Sequence, residues 1–175
     1  MMTDNKGIKL LVKRLNSADT NEVLFTINQI RNSGDPEIIY FLLDLLITNP
    51  HKDISKAIIE LLNELKNKAC TSEIIKALQD DKFSSIKKEI LTSCWHSGLD
   101  YSDHLAFFVT IFIENDFLVA FEAFTIIESF EREYDTDIII TLIEDLKRNL
   151  NGMNEEKRNL LIELVHLLEE KKKAS

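Results

Sequence analysis

The stretch SCWHSGLDYSDH, residues 93 to 104, holds the single tryptophan, two of the four histidines and one of the two cysteines, with Asp100 and Asp103 among them. Such side chains serve as nucleophiles, proton carriers and metal ligands. A thiol–imidazole pair needs Cys94 and His96 on one side of a helix, yet two residues of helix turn about 200°. Cys94 is therefore expected in the core, with His96 facing elsewhere. A metal centre would recruit His96, Asp100, Asp103 and His104, whose donor atoms suit zinc or another divalent ion. Their spacing matches no metal-binding motif. Gly98 reads instead as a left-handed helix stop, and Ser102 or Asp103 as the N-cap of the next helix. Without a Gly-rich phosphate loop, GxSxG, HExxH or CxxC, the expectation is a non-enzyme with no cofactor; a metal-dependent enzyme at the 96–104 loop is the alternative.

The elements around this loop are predicted to be helices. Apolar residues recur at helical spacing in ten segments, roughly 4–15, 20–33, 36–48, 53–66, 72–80, 84–97, 103–114, 116–131, 137–150 and 155–170. Four glycines and two prolines leave little material for hairpin turns. The 175 residues, 45% apolar and 29% charged, therefore predict one soluble all-α domain over residues 1–175. Start signals agree with the segments. Gly34 suits a helix stop, Asp35 an N-cap with Pro36 in the first turn, and Asp19 with Glu22 has capping-box spacing. Thr71 or Ser72 and Asn154 mark two further starts.

The segments form five pairs, and the pairs repeat. A step of 32 residues aligns Ile27, Ile59, Leu91 and Ala123, and likewise Ile30, Leu62, Cys94 and Ile126. The first helices align Leu15, Leu46, Leu78, Phe112 and Leu146. Short helix pairs at this period mark an α-solenoid, in which each pair buries its apolar face against its neighbours. The residues DPEIIYFLLDLL at 35–46, NPHKDISKAIIELLNEL at 49–65 and DDKFSSIKKEILTSC at 80–94 resemble the HEAT-repeat family. They look like its acidic-Pro start, its Leu-rich first helix and the acidic turn leading to its second helix. The likeness is clearest over 20–98; Lys56 and Lys88 stand where the family has arginine, and the last repeats diverge. It implies a right-handed α-α superhelix of about five helical hairpins whose second helices line the concave face, and it implies no particular chemistry.

Charge selects among partners. The chain carries a net −9, which argues against nucleic acid. Residues 100–145 hold 12 acidic side chains against Arg132 alone, together with 9 of the 14 aromatics. The longest uncharged run there, LAFFVTIFI, is too short to span a membrane. An N-terminus without a signal-peptide pattern, and two cysteines without paired spacing, predict a cytoplasmic location. The terminal EEKKKAS reads as a frayed helix end. If the repeat ladder centres the core, the far side of the second helices carries Phe25, Ala57, Glu89 and Phe121, then Asn28, Glu60, Thr92 and Phe124, then Asn32, Glu64, His96 and Glu128. The expected binding residues are Glu60, Glu64, Glu89, His96, Phe121, Phe124 and Glu128, an acidic concave face receiving a basic or amphipathic protein segment. Two alternatives stay open: Phe121 and Phe124 in the core, since a one-residue slip rotates the helix by about 100°, or a homodimer through the apolar fourth repeat in place of a monomer.

Overall fold

The computed structural model describes residues 5–33 and 35–173, with side chains throughout except at Asn5, Asn32 and Ser33. Among the described residues the chain is all helix, with no strand: α1 (Asn5–Leu15), α2 (Thr20–Ser33), α3 (Ile39–Thr48), α4 (Lys52–Asn63), α5 (Cys70–Gln79), α6 (Lys87–Ser97), α7 (Leu105–Glu114), α8 (Phe117–Glu128), α9 (Thr136–Arg148) and α10 (Glu155–Glu170). Short 3-10 segments lead into α3, α6 and α7, the one before α6 spanning Asp81–Ile86, and a fourth, Leu150–Gly152, follows α9.

One device starts every helix from α2 to α10. An Asp or Asn side-chain oxygen accepts a backbone N–H two residues on at Asp19, Asp35, Asn49, Asn67, Asp80, Asp100 and Asp135, and three residues on at Asp116 and Asn154, all at 2.9–3.1 Å. Each satisfies an amide that the helix itself leaves without an acceptor. Asp35 with Pro36, and Asn154, cap as expected. Elsewhere the cap moves upstream: Asn67 replaces Thr71 or Ser72, and Asp100 replaces Ser102 or Asp103. The Asp19–Glu22 box does not close, because Ser17 takes the place of Glu22, accepting from the Asp19 N–H at 3.2 Å and itself donating to Glu22. Gly98 ends α6 at φ +66°, as expected; Gly34 lies outside the described residues.

The helices gather into two compact units, residues 1–99 and 100–175. Within the first, α2 packs on α4 and α4 on α6, while α3 packs on α5 and α1 on α2. Ile27, Ile30, Ile58, Leu62, Leu91 and Cys94 are buried along the first row. Each fully buried Leu or Ile contributes about 1.5–3 kcal/mol relative to exposure. Ile59 and Leu46, though aligned with the ladder, are only half-buried, because the buried stripes of their helices run through Ile54, Ile58, Leu61 and Leu62, and through Leu42, Leu43 and Leu45. Phe83 draws the 3-10 turn before α6 inward, its ring edge-on to Tyr40 at 5.2 Å, which delays α6 to Lys87.

Within the second unit α7 packs on α8 and α9, and α10 on α8 and α9. Ala120 and Ala123 let α8 approach α7 closely, and Phe108 and Phe112 of α7 are fully buried. The end of the chain is not frayed as far as Lys173. Tyr134 N–H donates to Lys171 O at 2.8 Å, Lys173 N–H donates back to Tyr134 O at 3.0 Å, and the Tyr134 hydroxyl donates to Ser102 O at 2.8 Å.

Candidate functional site

In the first unit the side of the second helices away from the core carries Phe25 on α2, Glu60 on α4 with Glu64 as its C-cap, and Glu89 and His96 on α6, none of them buried. These are the predicted surface residues, but the surface is less acidic than predicted. Arg31 of α2 reaches across to α4, placing its guanidinium 3.1 Å from Glu64 and 3.9 Å from Glu60, and Lys56 also lies 3.9 Å from Glu60. Exposed pairs of this kind contribute little stability, about 0–1 kcal/mol each, yet they neutralise the local field. The signal for Arg31 was present in the repeat: the 32-residue step sets it beside Asn63, one residue from Glu64. Asn32, the first member of the same rung, has no described side chain.

The loop from Ser93 to His104 separates into structural parts. Cys94 is buried and its thiol donates to Ile90 O at 3.3 Å. Cys70 is buried too, and burial, with smaller contributions from Asp35 and Glu73, pushes its thiol up to about 11. A thiol held that far above neutrality is a poor nucleophile. His96 is exposed, its ring stacked on Trp95 at 3.7 Å and its Nδ1 3.0 Å from Thr92 O, which fixes Nδ1 as the donor. Asp100 serves as the cap of the turn into α7, and Asp103 pairs with Arg132. Among the described residues no group of three or more His, Cys, Asp or Glu side chains is placed to hold a metal ion, so His96, Asp100, Asp103 and His104 are not assembled as ligands.

The second unit carries a different surface. On α8 the buried side is Ala120, Ala123, Ile126 and Ile127. Leu118 is 56% exposed and Phe121 49% exposed, with Phe117 and Phe124 half-buried beside them and Glu128 exposed. Phe121 is thus a surface residue and Phe124 lies at the edge of the strip. The ring of Phe117 sits 6.2 Å from that of Phe121, extending the apolar strip along one turn.

In the unit that carries this strip the charge is one-sided. Residues 1–99 have 13 acidic and 13 basic side chains, whereas residues 100–175 have 17 acidic and 8 basic, so the second unit holds the whole net charge of −9. Several of its cations are spent on structure. Lys157, 7% exposed, donates to Ile113 O at 2.8 Å and Asn115 O at 2.6 Å, closing the end of α7. Lys171 donates to Glu128 O at 3.3 Å and to Phe130 O, closing the end of α8. Burial lowers the pKa of both ammonium groups from the usual lysine value. Arg132 pairs with Asp103 and Arg148 with Asp145. An exposed apolar strip in an acidic unit is suited to the apolar side of a helix flanked by Lys or Arg.

No family model matches the chain, and no curated protein matches it. Among the solved structures that it matches is a crystal structure of an engineered protein, 15% identical, covering 95% of this chain and 81% of that one, at a TM-score of 0.43. A likeness at that score identifies neither family nor function. No helix among the described residues is long and apolar enough to cross a membrane.

Proposed function

We propose that the chain is a non-catalytic protein-interaction scaffold, a HEAT-like solenoid of five helical hairpins, and that it receives a basic amphipathic helix on the exposed side of α8. The architecture is supported by the 32-residue ladder, whose members Ile30, Leu62, Cys94 and Ile126 are all buried, and by the α2–α4–α6 row. The observation that carries the binding role is the exposure of Phe121 and Leu118 in the unit that holds all of the net charge. The aromatic anchor supplies desolvation energy, and the net negative charge of its unit steers and orients. Glu60 and Glu64, matched by Arg31, play a smaller part than the repeat pattern alone implies.

The test uses a synthetic amphipathic helix of Leu and Lys, labelled for fluorescence anisotropy and titrated with dilute protein. Phe121→Ser is expected to weaken binding about tenfold or more, as for an interface anchor. A Leu/Glu helix of the same pattern is expected to bind more weakly than the Leu/Lys helix by a similar factor. Equal affinity of the Leu/Lys probe for the unmodified chain and a folded Phe121→Ser variant sinks the proposal.

A further inference from the structure

We infer that the occupant of the α8 face is α1 of a second copy of this chain; this rests on the reading of α8 as a binding surface. The segment NKGIKLLVKRL carries Lys6, Lys9, Lys13 and Arg14 and no acidic residue. Ile8 and Leu15 are its buried residues. At about 100° per residue, Lys6, Lys9, Leu10 and Lys13 share an arc of roughly 100° on the opposite side. Leu10 is 55% exposed and the three lysines are exposed. Arg14 is engaged inside its own unit, donating to Gln29 Oε1 at 3.0 Å and lying 3.9 Å from Glu22. The outer face of α1 is therefore one leucine set among three lysines.

That face complements α8. Leu10 meets the strip of Leu118 and Phe121, and the lysines meet a unit with 17 acidic side chains against 8 basic ones. The two helices, of 11 and 12 residues, are also matched in length at about 16–18 Å. Pairing α8 with α8 across a two-fold axis would bring two strongly acidic units together, which electrostatics disfavours. The contact of α1 with α8 is heterologous, so each joined pair retains one unused α1 and one unused α8, and assembly continues unless a ring closes. A single helix on a single helix buries less than about 1,000 Å², which places the association among weak, concentration-dependent ones.

Sedimentation of the full chain tests this. The unmodified chain is expected to gain mass with concentration, and raising salt from about 0.05 to about 0.5 M is expected to weaken association roughly tenfold or more. Leu10→Glu removes one face and Phe121→Ser the other; each variant alone is expected to be monomeric. Both replaced side chains are exposed, and helical circular dichroism checks that each variant folds; the double variant Lys9→Glu/Lys13→Glu repeats the α1 test without touching Leu10. Mixed in equal parts, Leu10→Glu and Phe121→Ser are expected to form a heterodimer that stops at two chains, because one live face remains on each. Self-association of Leu10→Glu equal to that of the unmodified chain overturns the inference, as does a mixture that stays monomeric or an unmodified chain that is monomeric throughout. If the inference fails in these ways while the Leu/Lys probe still binds Leu10→Glu, the α8 face remains a binding surface and only the second copy is removed as its occupant.

Discussion

Tyr134 shows how much one side chain does in the second unit. Its hydroxyl donates to Ser102 O, its backbone pairs with Lys171 and Lys173, and its ring lies 5.6 Å from the Arg132 guanidinium. Burial, outweighing the opposing charge of Arg132, pushes the phenol up to about 12 from its usual 10. The folded value is the higher one, so above pH 10 the unfolded chain releases this proton first. The stability it contributes is whole below pH 10 and is lost as the pH rises towards 12. Cys70 acts in the same direction and earlier, between its usual 9 and about 11. In urea unfolding these two groups are thus expected to contribute a decline that begins near 9 and continues past 10, opposed by Lys157 and Lys171, whose folded values are lowered by burial. Tyr134→Phe is expected to cost about 1 kcal/mol at neutral pH through the lost hydrogen bond and to flatten the later part of that decline. An unchanged slope above pH 10 in the variant removes Tyr134 from this role.

At the scale of elements, six of the nine side-chain caps are aspartates, and three of them, Asp100, Asp116 and Asp135, hold helix starts in the segment with the largest acidic excess. The turn into α7 offers the sharpest comparison. Asp100→Ala is expected to lower stability by about 1 kcal/mol, as for a lost N-cap. Asp103→Ala removes only an exposed pair with Arg132 and is expected to stay within about 0.5 kcal/mol. Urea midpoints measured side by side decide between the two caps, and the reverse ranking would restore Asp103. The sequence pattern made Asp35, Gly98 and Asn154 legible because an N-cap or a left-handed stop depends on its own neighbours. Asn67 and Asp100 were less legible, since a 3-10 or turn segment separates the capping side chain from the first apolar position of its helix. Arg31 was legible only in part, as the neighbour of Asn63 in the repeat. Its partners Glu60 and Glu64 lie on a different helix, and their meeting depends on how the two rows of side chains pack.

At the scale of the whole chain, the same acidic excess that suits α8 to lysines must also strain its own unit. Like charges that are not compensated repel in the compact state, and the repulsion is screened by salt. Residues 1–99 are balanced at 13 acidic and 13 basic side chains, so they lack this penalty. The single tryptophan, Trp95, belongs to that balanced unit and reports it, whereas far-ultraviolet circular dichroism reports helices of both. In dilute protein at low ionic strength, the thermal loss of helix is expected to begin before the change in Trp95 fluorescence. Adding salt to about 0.5 M should draw the two transitions together and raise the helical midpoint by roughly 2–5 °C. Glu131→Lys with Glu133→Lys, both exposed and on the loop after α8, should reproduce the rise at low salt by moving the net charge from −9 to −5. Coincident transitions with no salt dependence would mean that the charge imbalance is not felt as repulsion. The case for α8 as a site that draws in cations through the field of its unit would then fall with it, leaving the exposed Phe121 and Leu118 to bind by apolar contact alone.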